Sequence, residues 1–135
     1  RGDDPTFGRF QPPRTPSRVP RGEQTALLGE FARWLLDSDP NARLVLAGDF
    51  NDTEFSPPLR TLQNLNLTDL PATLPEAQRY TYIYQGNAQV LDHVLLSPSL
   101  IADGYGYGYG IVHVNAEFAD QVSDHDPQLV RLTFP

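Results

Sequence analysis

Three short clusters contain the side chains of this chain whose types and spacing could do chemistry. They are Gly48-Asp49-Phe50-Asn51-Asp52, Leu91-Asp92-His93-Val94 and Ser123-Asp124-His125-Asp126-Pro127. Asp49 and Asn51 stand two residues apart, so on an extended chain the carboxylate and the amide project to the same side. Asp92 opens an apolar segment and needs a partner, because burial of a lone carboxylate is costly. His125 has a carboxylate on each side, which favours its protonated form.

Each cluster taken alone also has a purely structural explanation. An Asp-x-Asn sequence after a strand is commonly a turn in which Asp and Asn bond their own backbone. Asp92 could face solvent at the start of its strand, and residues 123–127 could form a surface loop of mixed charge. His93 and His113 lie within or beside predicted strands, and a structural role is favoured for both. The functional interpretation therefore depends on the three clusters occurring together and in this order.

The first elements that would position these clusters follow from hydrophobic periodicity. Residues 1–22 have no period and are rich in Pro, Gly and Arg, which predicts an irregular arm, and residues 23–135 would form the domain. A helix is predicted over 23–37, because large apolar residues recur there at helical spacing, opposite a charged face. These apolar residues are Leu27, Leu28, Phe31, Trp34 and Leu35. Residues 43–48 are typical of a buried strand.

The second half of the pattern is mostly strand. Ser56 and Pro57 supply an N-cap and an N1 proline for a short helix through about Leu65. Residues 80–84 and 89–97 would then pair as a hairpin around a turn at Gly86-Asn87.

The remaining residues complete an α+β pattern. Tyr-Gly repeats at 105–110 predict a loop or an irregular edge strand, and strands follow over 111–114 and 128–134. The order is therefore helix, strand, helix and then mostly strand. This order favours a layered α+β domain.

In this order the clusters resemble the endonuclease/exonuclease/phosphatase superfamily. The C-terminal half of that family has a GDFN-type motif, an (I/L)D-x-(I/V) strand and a terminal SDH-x-P motif, which correspond here to Gly48-Asp-Phe-Asn51, Leu91-Asp-His-Val94 and Ser123-Asp-His-Asp-Pro127. Longer segments resemble a bacterial, often secreted, nuclease-like branch; they are GDDPTFGRFQPP, NDTEFSPPL, RYTYIYQGNAQVLDHVLLS and VNAEFADQVSDHDP. The resemblance spans nearly the whole chain. It implies a metal-dependent phosphodiester hydrolase, a nuclease acting on DNA, located outside a bacterial cell.

The resemblance also implies roles for individual residues. His125 would contact the scissile phosphate or transfer a proton, and Asp92 would bond its other ring nitrogen. Asp49 would orient or deprotonate the attacking water, and Asn51 would donate to a phosphate oxygen. Asp124, together with Asp49, would contribute to a divalent cation. Oxygen donors suit a hard ion, so Mg²⁺, Mn²⁺ or Ca²⁺ is expected.

Two further substrate contacts are predicted. Tyr82 could stack on a base, although aromatic residues at period two in a hairpin are more often cross-strand packing, and the same alternative holds for Tyr80 and Tyr84. Arg9 could guide a phosphate backbone together with the other arginines of the arm.

The family fold implied by the resemblance is two packed β-sheets flanked by helices. This chain would be the C-terminal half of it, half of a four-layer αββα sandwich with mostly antiparallel sheet. The N-terminal half of the family carries an early Asn, a metal-binding Glu and an Asn-x-His motif, none of which precedes Gly48 here. The chain would then carry half of the active site and be nearly inactive alone. It would pair with that N-terminal half or with a second copy, because an apolar sheet face would otherwise be uncovered.

Composition limits the remaining alternatives. The chain has 135 residues, 39% of them hydrophobic, which is enough for one core, and no apolar segment approaches the roughly 20 residues of a membrane span. The absence of cysteine excludes disulfides and a zinc–thiolate site. A formal charge of -7 argues against tight non-specific DNA binding by this chain alone, but not against a metal-dependent phosphodiesterase. A phosphatase or phospholipid phosphodiesterase of the same superfamily, or a non-catalytic interaction module, stays open. A Ser-His-Asp acyl hydrolase is disfavoured, since no G-x-S-x-G elbow is present.

Overall fold

The computed structural model describes residues 3–5, 7–102 and 106–134 of the chain. Within these residues the order is the predicted one, helix, strand, helix and then mostly strand. The elements are α1 (Arg18–Ser38), β1 (Val45–Asp49), α2 (Pro57–Gln63), β2 (Thr68–Asp69), β3 (Tyr82–Tyr84), β4 (Asn87–Gln89), β5 (Asp92–Leu96), β6 (Gly106–Ile111) and β7 (Gln128–Thr133). The strand pairs are antiparallel, in agreement with the α+β class.

Strand β5 is the centre of the fold, because it is buried on both faces. It lies between β1 and β2 in a three-stranded sheet. Leu95 faces the helices and shares a core cluster with Ala32 and Leu59. Val94 and Leu96 face the other way and pack against side chains of β6 and β7. The layers are therefore the two helices, the β1-β5-β2 sheet and the β6-β7 pair; the four-layer sandwich stays a prediction.

Helix α1 begins at Arg18, five residues before the predicted start, so the end of the arm predicted over 1–22 is helical. Pro20 lies in the first turn, where the N–H that proline lacks would have no partner inside the helix. A proline in this place therefore does not stop the helix. Among the described residues, no helix combines the length and the apolar character that crossing a membrane requires.

The buried face of α1 matches only in part the face that the large apolar residues predict. Thr25, Gly29 and Ala32 are buried, whereas Leu27, Phe31 and Trp34 are among the exposed residues. A Cβ added at Gly29 would be in ordinary van der Waals contact, 3.5 Å from a side-chain atom of Thr61 in α2. The buried small residues therefore pack α1 on α2, and Leu27, Phe31 and Trp34 are left on the outer face, whereas Leu28 is half-buried and packs against the core.

Helix α2 confirms its local signals. Ser56 is the N-cap, and its side chain accepts a hydrogen bond from the backbone N–H of Leu59. Pro57 occupies the first helical position, where its fixed φ favours the helix. Strand β1 lies within one or two residues of the predicted segment, but its predicted burial is wrong, because only Leu46 of its five residues is buried.

The predicted hairpin of 80–84 with 89–97 is wrong in its second strand. Strand β3 pairs with the short β4, Tyr82 opposite Gln89, around a turn at Gln85-Gly86. Strand β5 leaves this hairpin and joins the other sheet. The Thr81 hydroxyl accepts hydrogen bonds from the backbone N–H groups of Leu91 and Asp92, where the chain passes from one sheet to the other. The apolar side chains of β5 are buried on both faces because the strand lies in the three-stranded sheet with β1 and β2 and not in the hairpin with β3.

The Tyr-Gly segment is a regular strand rather than a loop or irregular edge. Residues 106–111 form β6 and pair with all six residues of β7, from Gly106 opposite Thr133 to Ile111 opposite Gln128. The tyrosine at 105 lies outside the described residues. Tyr109 packs into the core beside Val130. The strand predicted over 111–114 is therefore wrong, because the paired residues end at Ile111.

Candidate active site

The register of β1 and β5 brings two of the predicted carboxylates to one edge of the sheet. Asp49 is the last residue of β1, Asp92 is the first residue of β5, and the two are directly opposite in the antiparallel pair. Opposite residues project to the same face, so their carboxylates lie close together. Backbone bonds continue this edge, with Phe50 N–H donating to the Leu91 carbonyl at 2.9 Å.

His125 completes the site from the segment before β7. Its Nδ1 lies 2.6 Å from an Asp92 carboxylate oxygen. Both side chains are partly exposed, which leaves the pair accessible from the cleft. This is the contact that the resemblance implies; the catalytic role of the two residues stays a prediction. With Nδ1 engaged, Nε2 is the ring nitrogen left for a ligand.

Asp49 and Asn51 form a tight turn with each other. The Asn51 backbone N–H donates to one carboxylate oxygen of Asp49 at 2.8 Å, and its side-chain amide donates to the other at 2.9 Å. Asn51 has a φ of 50°, a left-handed conformation that asparagine tolerates better than most residues. The structural explanation of Asp-x-Asn is therefore correct locally. The turn also presents the Asp49 carboxylate, which can accept further bonds, toward the cleft.

Three residues gather in a group that could hold a metal ion. One ligand atom each from Asp49, Asp92 and His125 lies within 4.8 Å of the others. They line an open cleft of about 430 Å³, together with Ser123 and Asn115. Asp124, the other predicted metal ligand, is not a member of this group. Its role as a ligand stays a prediction.

Charges around the cleft favour the protonated form of His125. Burial lowers the pKa of His125, but the hydrogen bond and the charge of Asp92 outweigh burial, with further contributions from Asp49 and Asp124. The pKa is therefore raised above its ordinary value. An imidazolium beside a carboxylate can donate to an anionic oxygen and still be held in place.

The two predicted substrate contacts are placed differently. Tyr82 lies beside the site: its ring centroid is 4.9 Å from that of His125, and a single β-bridge joins the two residues. Arg9 does not line the cleft, and its guanidinium lies 4.8 Å from the ring centroid of Phe10. The structure therefore brings together Tyr82 and the Asp92-His125 pair, but not Arg9.

Two residues that the motifs do not single out, Asp126 and Asn115, hold His125 in place. Asp126 is buried, and one of its oxygens accepts from the backbone N–H groups of Val114, Asn115 and Ala116. The Asn115 side chain in turn donates to the His125 carbonyl at 2.8 Å. Asp126 belongs to the SDH-x-P segment and could have been found there; no sequence signal marks Asn115.

The other two histidines have structural contacts, as predicted. His93 is fully buried, and its Nδ1 lies 3.0 Å from an oxygen of Asp69, while its Nε2 lies 3.0 Å from the Asp52 carbonyl. Burial lowers the pKa of His93, but the hydrogen bond and charge of Asp69 raise it above its ordinary value overall. His113 stacks on Tyr80 with ring centroids 3.9 Å apart. Neither ring belongs to the candidate metal group.

The layered α+β fold holds a cleft at its sheet edge that is lined by carboxylates and a histidine. A family model described as "Endonuclease/Exonuclease/phosphatase family" matches residues 2–125, which include all three motif clusters up to His125. The chain therefore belongs to the endonuclease/exonuclease/phosphatase family. Its members hydrolyse phosphodiester or phosphate ester bonds and typically use divalent metal ions. No curated protein and no solved structure matches the chain at a significant level.

Proposed function

We propose that this chain carries active-site residues of a metal-dependent phosphodiesterase, a nuclease whose substrate is DNA. The observation that carries the proposal is the convergence of Asp49, Asp92 and His125 from three separate segments on one cleft. A purely structural role for these side chains does not require that they share an accessible cleft. Family membership supports hydrolysis of phosphate esters. The choice of DNA rests on the resemblance of longer segments to a nuclease-like branch.

In the proposed chemistry, His125 and Asp92 act on the phosphate, and Asp49 and Asn51 position the attacking water and a phosphate oxygen. His125 donates a hydrogen bond or a proton through Nε2 to an oxygen of the scissile phosphate, while Asp92 holds Nδ1 and fixes the orientation of the ring. Asp49 orients the attacking water through a carboxylate oxygen. Asn51 has a second amide hydrogen besides the one that Asp49 accepts, and this hydrogen is available to a phosphate oxygen.

The donor set of the cleft fits a hard divalent cation. Carboxylate oxygens of Asp49 and Asp92 would hold it, and Asp124 would contribute from the neighbouring segment, whereas the His125 nitrogen that faces Asp92 is already engaged. Mg²⁺ prefers such oxygen donors, and Mn²⁺ or Ca²⁺ accepts them too. When bound, the cation supplies charge that stabilises the developing negative charge on the phosphate.

Replacement of Asp49 by asparagine tests the metal part of the proposal. In the intact protein, D49N is expected to lower kcat for DNA cleavage in Mg²⁺ by about 10²- to 10³-fold, comparable to the loss of one stabilising polar contact to the transition state. Asp37 is an exposed aspartate on α1, so D37N is the matched control and should leave kcat unchanged. Cleavage that persists in excess chelator, or a D49N variant as active as D37N, would contradict the proposal. Phosphate monoester or phospholipid substrates in parallel assays identify the alternative activities of the family.

The chain is also proposed to pair with an N-terminal half of the family domain, which rests on the resemblance alone, or with a second copy, which the outer face of α1 supports. Leu27, Phe31 and Trp34 are 54–68% exposed and follow one another at helical spacing. The Phe31 and Trp34 rings are stacked, with centroids 5.9 Å apart. Contiguous apolar surface of this kind commonly marks an interface.

Light scattering after size-exclusion chromatography measures this pairing directly. The purified 135-residue chain is expected to associate, and W34E is expected to shift it toward monomer, because a charge in an apolar interface has no partner. Arg33 is exposed on the same helix, so R33E is the matched control. A well-folded monomer at all concentrations would rule out pairing with a second copy. Strong Mg²⁺-dependent cleavage of plasmid by the chain alone would refute the expectation that it is nearly inactive without a partner.

The extracellular bacterial location is the last part of the proposal. It rests on the resemblance alone. Activity measured in the culture medium and in washed cells of the source organism decides it, since an exported nuclease is found in the medium.

A further inference from the structure

We propose that Tyr82 and Tyr84 form a stacking surface for an unpaired nucleobase next to the scissile phosphate. This inference rests on the proposed function and narrows its substrate to single-stranded or locally unpaired nucleic acid. The two rings come from alternate residues of β3, which project to the same face of the strand. Their planes are nearly parallel, 7° apart, with centroids 6.3 Å apart.

Packing across the β3-β4 hairpin, the alternative for these tyrosines, does not explain their position, and the cross-strand contact of Tyr82 is instead with His125 through a single β-bridge. Tyr82 lies opposite Gln89, and Tyr84 lies opposite Asn87, so neither ring has an aromatic or branched partner across the hairpin. The β3-β4 hairpin is a two-stranded sheet of its own. Tyr84 keeps 39% of its surface exposed. The Tyr84 ring is therefore available to a ligand, and the Tyr82 ring beside it is half-buried against His125.

The stacking surface is continuous with the candidate active site. The Tyr82 ring lies 4.9 Å from the His125 ring, centroid to centroid, and His125 is bonded to Asp92. The Tyr82 ring therefore contacts both the His125 ring and the Tyr84 ring. In a nucleotide the base is joined to the phosphate through the sugar. A phosphate at His125 consequently places the adjacent base beside the tyrosines rather than on the metal group.

A second cleft, which Tyr82 and Tyr84 line, suits a neutral planar group. Its volume is about 290 Å³, near the lower end of the range for small-molecule sites, and Phe7 forms part of its wall. Asp3 and Asp4 also line it. These carboxylates repel a second phosphate but not a neutral base. Both are held by the protein itself, since Asp3 accepts from Arg21, and Asp4 accepts from the backbone N–H of Arg14 at 3.0 Å.

The net charge of the chain also favours binding through base stacking. At a formal charge of -7, the protein gains little from general attraction to the phosphate backbone. Stacking is independent of that attraction and works with any base, because every base has a π face. A paired base inside a duplex is already stacked on its neighbours and does not expose that face. The proposed ligand is therefore an unpaired base.

The test compares Y84A with the intact protein on two oligonucleotides, one with all its bases and one in which every base is absent from the same sugar-phosphate chain. Y84A is expected to raise KM and Kd for the first about 5- to 150-fold, because stacking contributes about 1–3 kcal/mol per base. It should leave the values for the base-free strand unchanged. Y84F keeps the aromatic ring, so its KM and Kd for the first oligonucleotide should equal those of the protein without a substitution. Tyr107 on β6 is also 39% exposed, so Y107A is the matched control.

Each outcome bears on one proposal only. An equal effect of Y84A on both oligonucleotides, or none on either, overturns the stacking surface. An equal effect on the duplex of the same sequence overturns the restriction to unpaired bases. Fluorescence anisotropy gives Kd in the absence of turnover, so a lack of hydrolysis by the intact protein counts against the proposed function and leaves the stacking measurement valid.

Discussion

Replacing His125 by alanine is expected to lower kcat for phosphodiester hydrolysis by about 10²- to 10⁴-fold, the usual contribution of a positioned proton-transfer group. The imidazole is the one ring in the candidate metal group, and its partner Asp92 holds it at 2.6 Å. KM should change much less, because the phosphate oxygen is contacted most strongly in the transition state. Steady-state rates on an oligonucleotide, measured for H125A in the intact protein, give both parameters.

The control for H125A comes from the same segment. Val122 is almost fully exposed, so V122A should leave kcat and the melting temperature unchanged. A thermal melt of H125A then shows that the loss of activity is not a loss of folding. Unchanged turnover in H125A would remove the catalytic interpretation and leave a non-catalytic interaction module that keeps the family fold.

Replacing Asp126 by alanine is expected to have the largest effect on stability, about 3–5 kcal/mol of unfolding free energy at neutral pH, as for other broken buried polar networks. The buried carboxylate accepts from three consecutive backbone N–H groups on one oxygen, and from His113 on the other at 2.9 Å. Alanine leaves these donors without an acceptor. Urea unfolding of D126A against D120A measures the difference, since Asp120 is an exposed aspartate nearby.

The dependence of this difference on pH has a definite sign. Burial raises the pKa of Asp126, but the bonds from His113 and from the backbone outweigh it, so the pKa is lower in the folded protein than its ordinary value. The stabilisation is therefore fully present above the unfolded pKa, about 3.9. It is lost as the pH falls through the folded pKa. A gap between the intact protein and D126A that stays constant into strong acid would contradict this assignment of Asp126.

Local signals in the sequence were sufficient for several elements. Ser56 and Pro57 start α2 where they were expected to, because a cap and a fixed φ act over three or four residues. Strand β1 and strand β7 follow from short runs of apolar or alternating residues. The start of α1 was placed late, since the proline-rich composition of residues 1–22 obscured that Pro20 is compatible with a first helical turn.

The buried face of α1 and the pairing of β5 differ from the predictions because both depend on long-range packing. The outer position of Phe31 and Trp34 depends on the packing of α1 against the core through its buried residues Thr25, Gly29 and Ala32. The separation of β5 from the β3-β4 hairpin depends on a sheet formed with β1, forty residues or so earlier in the chain. No window of neighbouring residues contains that information.

For the candidate site, too, some features follow from the sequence and others only from the fold. The residue types, their order in three clusters and the family that they indicate can be read from the sequence, because each motif is a short contiguous segment. The position of Asp49 opposite Asp92 and the place of Asp124 outside the group follow from the tertiary structure, which also shows the His125–Asp92 contact that the resemblance implies. The physical reason is that strand register and loop anchoring arise from pairings between distant segments. Each such pairing is set by the burial of β5 and by backbone bonds to Asp126, neither of which is visible in the motifs themselves.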